Sequence, residues 1–397
     1  MSRREVYRKD RVTVWFTPAG KDQMHVVASV AAGPADGGQA CEDAYRHIAD
    51  VLAREEMQIV HERLFGSLTA RESVLEARGR ALSASVAIRE LPLTYIEGRP
   101  LWGEGPAGVQ LHAVRPRQPD GVRTIYDGGV PCGRAWERSG GRFLLLQNIH
   151  GRSEGQTDAG DRESDATRMF ERASRILLAQ GASYRDVVQT WVYLSDILAW
   201  YDQFNQVRNA EYSKLGFEIG VSSTSDTGRL CLPASTGIRG ENPFGAACVM
   251  DLLAIVGEPG AGPEIVYLSN VKQNEAYAYG SAFSRGACVR EPDVTHIQVS
   301  GTAAIDESGT SLFPGDVRAQ INRTLDTVEA LVAQDGATLD DICEATVFLK
   351  RAEDAPVYRE VAEERGLLEM PAVCVVGDVC RDELLFEMDG AAVVDRG

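Results

Sequence analysis

The sequence predicts an α/β protein, layered in the α+β manner and built from three copies of one unit. Two observations carry that expectation. Gly181-Ala182-Ser183-Tyr184-Arg185-Asp186 and Gly336-Ala337-Thr338-Leu339-Asp340-Asp341 both read G-A-[S/T]-x-x-D, and their offset of 155 residues holds without a gap into Val192-Tyr193-Leu194 and Val347-Phe348-Leu349. A period this long marks duplicated domains, because solenoid units are much shorter. The same order of elements also surrounds both copies, and it recurs, more weakly, in the N-terminal third.

In the N-terminal third, Val12–Phe16 and His25–Ala32 read as a hairpin. Ala44, Ile48, Val51 and Leu52 fall on one face of a helix, Met57–Phe65 reads as a strand, and Arg71–Leu82 as a second helix. The middle copy opens with the strand Arg142–Leu146. A helix follows with Ala166, Met169, Phe170, Ala173, Ile176 and Leu177 on its apolar face, then the strand containing Val192 and a helix near Tyr201–Tyr212. In the last copy the strand is His296–Ser300 and the helix carries Val317, Ile321, Leu325, Val328 and Val332. The strand containing Val347 and a helix over Ala355–Glu364 complete it. Ser183 and Thr338, each with an Asp three residues on, are placed to cap short turns before the second strands. Such a unit has helices on one face of its sheet, so the other face must be buried. Three copies in one chain close that surface around a pseudo-threefold axis, an intramolecular pseudo-trimer.

At 397 residues the chain has room for three units of about 120–140 residues each. Arg115-Pro116-Arg117-Gln118-Pro119-Asp120 and the Gly- and Pro-rich run 257–263 have linker composition and set boundaries at 1–118, 119–262 and 263–397. A net charge of −17, with no Lys/Arg cluster, argues against a nucleic-acid partner. One or two arginines in a pocket still suffice for a small anionic metabolite. There is no run of about 18 apolar residues and no leader at the N-terminus, so the expectation is a cytoplasmic protein without a membrane partner. The eight cysteines lack any C-x-x-C pair and the six histidines are dispersed, so no metal site is expected. Phosphate-cradling, dinucleotide and nucleophile-elbow motifs are also missing, and no cofactor is expected.

Three tracts carry a family resemblance. Phe313-Pro314-Gly315-Asp316-Val317-Arg318-Ala319-Gln320, the G-A-T-x-x-D run and Ala345-Thr346-Val347-Phe348-Leu349 resemble the reactive intermediate deaminase (RidA/YjgF) superfamily. The resemblance implies a chorismate-mutase-like fold, trimeric packing and ligand clefts between units. A narrower resemblance, to the chorismatase branch, rests on Asn270-Val271-Lys272-Gln273, Ala276-Tyr277-Ala278-Tyr279, Phe283-Ser284-Arg285-Gly286, Val299-Ser300-Gly301-Thr302-Ala303 and the tract from Gly377 to Glu387. That branch removes the enolpyruvyl group of chorismate as pyruvate without metal or organic cofactor. One departure is plain: Tyr279 is followed by only Gly280-Ser281-Ala282 before Phe283, where the branch has a longer segment with a further tyrosine.

Cleaving an enol ether needs a proton delivered to carbon or to the leaving oxygen, and a carboxylic acid with a raised pKa supplies it. Glu387, between Phe386 and Met388, is the candidate acid, although alternation along Leu385–Asp389 fits a solvated carboxylate equally well, and Asp389 is a second candidate. Arg285 has the fork to clamp a carboxylate, or forms a surface ion pair. Tyr277 and Tyr279 share a strand face, either lining a pocket or packing on the sheet. The resemblance adds Gln273, Gly301, Thr302 and Ala303 as substrate contacts, with Cys380 and Arg381 behind them. The imine-hydrolysing deaminases carry an arginine where this chain aligns Val373, which argues against ordinary 2-iminoacid deamination. The expected activity is therefore a cofactor-independent lyase or hydrolase. The rivals are imine or enamine hydrolysis, cyclisation or condensation on the same scaffold, and a non-catalytic metabolite-binding protein. A pseudo-trimer saturates its own interfaces, so a monomer and a homodimer are both compatible with the sequence.

Overall fold

The computed structural model describes residues 4–31, 36–82, 90–118, 120–152, 161–217, 232–257, 260–270, 272–273 and 280–396. Three sheets organise them. The first runs β1 (Glu5–Lys9), β2 (Val12–Ala19), β3 (Gln23–Val30), β7 (Pro106–Val114), β4 (Gln58–Gly66), β5 (Thr94–Glu97). The second runs β12 (Ala234–Arg239), β11 (Val187–Leu194), β13 (Cys248–Gly257), β10 (Gly141–His150), β9 (Val130–Arg138), β8 (Val122–Asp127). The third runs β14 (Glu264–Leu268), β15 (Gly286–Arg290), β16 (Val294–Ala303), β19 (Phe386–Asp395), β17 (Ile342–Leu349), β18 (Ala372–Val376), β6 (Arg99–Pro100). Apart from β6, which the N-terminal unit lends to the third sheet, the three orders are the same. The last strand of each unit inserts beside the hairpin, and each sheet has one parallel pair, β4 with β5, β11 with β12 and β17 with β18.

Each sheet is covered on one face by two helices: α1 (Gly37–Arg54) and α2 (Arg71–Leu82), α3 (Arg162–Ala179) and α4 (Tyr201–Lys214), α5 (Val317–Val332) and α6 (Ala355–Glu364). The apolar positions read from the sequence pack there in three separate cores, Val317 half-buried and the others buried. The G-A-[S/T]-x-x-D motif now has a physical account. Gly181 and Gly336 end their helices with φ of 67° and 79°, and the next amide bonds back, Ala182 N to the Leu177 carbonyl at 2.9 Å and Ala337 N to the Val332 carbonyl at 3.3 Å. Both capping boxes then form, Ser183 with Asp186 and Thr338 with Asp341. In the N-terminal unit Glu56 takes the same left-handed position (φ 54°), and Met57 N bonds to the Leu52 carbonyl at 2.8 Å. The geometry of the repeat survives there although the glycine that signals it is gone.

A fourth core lies between the uncovered faces, with Trp15, Val27 and Ile96 from the first sheet, Trp136, Phe143 and Trp191 from the second, and Val289, Phe348 and Val375 from the third. The ring closes because β4 lies against β9, β12 against β16, and β18 against β3 and β7. Its centre is not wholly apolar. Arg63 lies 4.6 Å over the Trp191 ring and donates to Tyr193 Oη (3.2 Å) and Glu344 Oε1 (2.8 Å). His25 meets Glu344 at 3.3 Å, and His61 meets Asp251 at 3.0 Å. Burial alone would raise the Glu344 carboxyl, but the His25 hydrogen bond and the Arg63 cation bring it down to about 2. Four histidines that are far apart in sequence, His25, His61, His112 and His296, thus converge at the junction. Among the described residues, no group of three or more His, Cys, Asp or Glu is arranged to hold a metal ion. Likewise, no described helix is long and apolar enough to cross a membrane.

Candidate active site

Glu387 stands near the start of β19, opposite Ala303 of β16 and Phe348 of β17. The register beside it shifts at a bulge over Ser300-Gly301, and the absence of a side chain on Gly301 leaves space in front of the carboxyl. A cavity of about 90 Å³ occupies that space between the middle and C-terminal units. Its walls from the C-terminal unit are Ser281, Phe283, Arg285, Gly301, Ala303, Ile305, Cys380, Arg381 and Glu387. The middle unit contributes Tyr201, Asp202 and Asn205 of α4, with Ser235 and Gly237 of β12. The volume suits the reacting end of a ligand rather than a whole ring.

The seam that holds this wall together is polar. Ser300 Oγ donates to the Ser284 carbonyl (2.7 Å) and accepts from the Ser235 amide (2.9 Å), while Ser284 N donates to the Pro233 carbonyl (3.0 Å). Thr236 Oγ1 donates to Asp389 Oδ2 at 2.8 Å. Each of these bonds except the first crosses between units, so the position of Glu387 depends on both.

The electrostatics favour a neutral acid. The Glu387 side chain is buried and makes no hydrogen bond among the described residues. Burial, together with the neighbouring Asp389, pushes its carboxyl up to about 8, against the opposing pull of Arg285. A carboxyl that still holds its proton at neutral pH is equipped to give it away. Arg285, 3% exposed, lies with its guanidinium 5.5 Å from the Phe283 ring centre. Arg381 is aimed by the loop between β16 and α5: its Nη1 donates to the Gly309 carbonyl (2.7 Å) and to Ser311 Oγ (3.2 Å). Burial, with Glu387 nearby, raises the Cys380 thiol to about 12, so it is a neutral wall and not a nucleophile.

Gly301 is required by space. A Cβ there would overlap Oε1 of Glu387 and lie 3.4 Å from Thr236. The structure brings together Glu387, Arg285, Gly301 and Ala303. It corrects the placement of Cys380 and Arg381, which form part of the wall itself because the turn after β18 folds inward. Thr302 turns its hydroxyl onto the Ser300 carbonyl (2.8 Å), and Gln273 supports the wall from behind by donating to the Ala303 carbonyl (2.8 Å). Neither side chain lines the cavity. Asp389 is also behind it, so of the two carboxyls Glu387 is the one that faces the space. Tyr277 and Tyr279 lie outside the described residues. The polar residues of α4 were missed because nothing in Tyr201–Asn205 distinguishes a cavity face from a solvent face.

The fold and this interface define the class: a pseudo-trimer of RidA-like units with a cleft between two of them. Residues 281–394 match the Endoribonuclease L-PSP family. Over 300 residues, 70% of this chain and 77% of the relative, the sequence is 25% identical to a chorismatase of Streptomyces hygroscopicus. It is likewise 25% identical to a 3-hydroxybenzoate synthase of the same organism, over 62% of this chain and 79% of that one. A RutC family protein of Pyrococcus abyssi is 32% identical across 24% of the chain. A crystal structure of chorismatase superposes with a TM-score of 0.59 and 18% identity, covering 84% of this chain and 92% of that one. The chain is thus similar to chorismatases along most of its length, and its C-terminal unit matches the Endoribonuclease L-PSP family.

Proposed function

We propose that this protein is a chorismatase-like enzyme that cleaves the enolpyruvyl group from chorismate or a related cyclohexadiene acid and releases pyruvate, in secondary metabolism. One observation carries the reading: a carboxyl held protonated in an interface cavity, with arginines in the same wall. Glu387 gives its proton to the terminal carbon of the enol ether, and the ether carbon becomes an oxocarbenium centre. Water adds there, and collapse of the hemiketal releases pyruvate and leaves a ring hydroxyl. Arg285 and Arg381 hold substrate carboxylates, and Gly301 and Ala303 keep the approach to Glu387 clear. The substrate is accordingly a small anionic metabolite, and the residues named here supply the chemistry without a cofactor. Val373, at the position of the deaminases' carboxylate-binding arginine, is fully buried, which further disfavours 2-iminoacid hydrolysis.

The test is to incubate the purified chain with chorismate and follow pyruvate through a coupled assay. Pyruvate formation that depends on Glu387 supports the reading. A folded protein that releases none, yet hydrolyses an enamine or imine, would hand the site to the other chemistry of this scaffold.

A further inference from the structure

The three interfaces differ at a second place, at the opposite end of the strands from Glu387. Ile59, Val187 and Ile342 hold equivalent positions, each paired with an alanine of the last strand (Ala113, Ala254, Ala392) and followed by a bulge. At two interfaces a long side chain from the neighbouring unit reaches that residue. Tyr267 Oη donates to the Val187 carbonyl at 3.1 Å, and Arg4 Nη2 donates to the Ile342 carbonyl. Register makes Thr124 the counterpart of Tyr267 and Arg4. Thr124 pairs with Arg134 and Arg134 with Leu145, as Tyr267 pairs with Ala287 and Ala287 with Gln298. Arg4 immediately precedes the Glu5–Phe16 pair. Threonine is too short to reach Ile59, and a cleft of about 530 Å³ opens there between the N-terminal and middle units.

The cleft has apolar walls, among them Leu52, Met57, Ile59, Leu91 and Val122, and two arginines in its lining, the exposed Arg123 and the buried Arg134. Arg134 is 8% exposed. It donates to Thr124 Oγ1 (2.7 Å) and Gln58 Oε1 (3.5 Å), and its Nε has no partner. Among the described residues no carboxylate lies within ion-pair distance, and Glu90 and Asp120 border the cleft without bonding to Arg134. A buried guanidinium normally has a carboxylate partner, because desolvating an unpaired charge is costly. We propose that this cleft is a second ligand site, separate from the Glu387 cavity. It takes a small carboxylate with an apolar body, the carboxylate on Arg134 and the body along Leu52, Met57 and Val122. Volume and lining both suit such a ligand.

Octanoate and its neutral counterpart octan-1-ol, titrated calorimetrically into the full chain, test this. The expected result is one octanoate site per chain, with octanol bound at least about tenfold more weakly, as loss of one charge-assisted bidentate contact implies. Arg134→Met should weaken octanoate by a similar factor. Ala53→Trp, at the half-open wall of α1, should block the site while leaving the melting temperature unchanged, which guards against misfolding of the arginine variant. Glu387→Gln should leave octanoate binding untouched. Equal affinity for octanol, retention of binding in both cleft variants, or no saturable binding would each overturn the proposal. None of these results bears on whether chorismate is cleaved.

Discussion

Glu387 and Gly108 occupy the same place in two copies of one sheet, and only one of them faces a cavity. Glu387 pairs with Phe348 on β17 as Gly108 pairs with Phe65 on β4. In the middle unit the place belongs to Val249, opposite Tyr193 and fully buried in the shared core. At Gly108 the neighbouring β18 closes in completely: a Cβ there would lie 2.7 Å from Val373 Cγ2 and overlap the Ala28 carbonyl. At Glu387 the neighbouring β12 presents Ser235 and Gly237, and Gly301 at the β16 bulge puts no side chain into the space. One fold therefore offers three equivalent clefts, and side-chain volume decides which stays open. At the other two places the same backbone positions serve packing.

The largest effect is expected from Glu387→Gln, which keeps the shape and removes the titrating proton. Pyruvate release should fall on the order of 10²–10⁴-fold, the usual contribution of a general acid, with an unchanged circular dichroism spectrum; full activity would remove Glu387 from the mechanism. Next is the junction that holds the three units in register. Arg63→Met takes the guanidinium from the buried Glu344, leaving it His25 alone, and should cost about 3–5 kcal/mol in denaturant unfolding.

Two glycine substitutions then separate chemistry from packing. Gly301→Ala forces a methyl against the Glu387 carboxyl, so activity should drop at least about tenfold while stability changes little. Gly108→Ala meets backbone and a branched side chain, so it should cost about 1–3 kcal/mol of stability and leave the turnover of the folded protein intact. If both variants lose activity equally, the two interfaces are not independent.

The smallest effect is in the pH profile. With its carboxyl raised to about 8 from 4.5, Glu387 is protonated and competent below that value, and activity should decline as pH rises through it. The same shift has a stability consequence. The native state keeps a proton that the unfolded chain releases from about pH 4.5 upward, so this group's contribution fades as pH rises toward 8. The melting temperature of Glu387→Gln relative to the unaltered chain should therefore climb by a few degrees between pH 5 and 8.

Much of the architecture was legible because local interactions write it into short stretches. The helices Arg71–Leu82 and Ala355–Glu364 and both capping boxes follow from spacing and from side chains bonding to adjacent backbone. The weak N-terminal copy shows the limit: Glu56 holds the left-handed turn that glycine marks in the other two, so identical geometry had no matching letter. At the site, Glu387, Arg285 and Gly301 were legible through family motifs, while Asp202 and Asn205 were not, since their place in the wall comes from the unit next door.

The three-unit plan, the two carboxyls Glu387 and Asp389 as candidate acids and the class of chemistry they suit were written in the sequence, because periodicity, caps and motif residues are properties of neighbouring positions. The tertiary structure settled which of the three places equivalent to Glu387 faces a cavity, that Cys380 and Arg381 line it, that Asp389 stands behind Glu387, and that dispersed histidines meet at the axis. Those outcomes depend on volumes and desolvation between units whose contacting residues are a hundred or more positions apart. The same separation explains the cleft at Arg134, which opens where a threonine stands at the place that the other two units give to an arginine and a tyrosine.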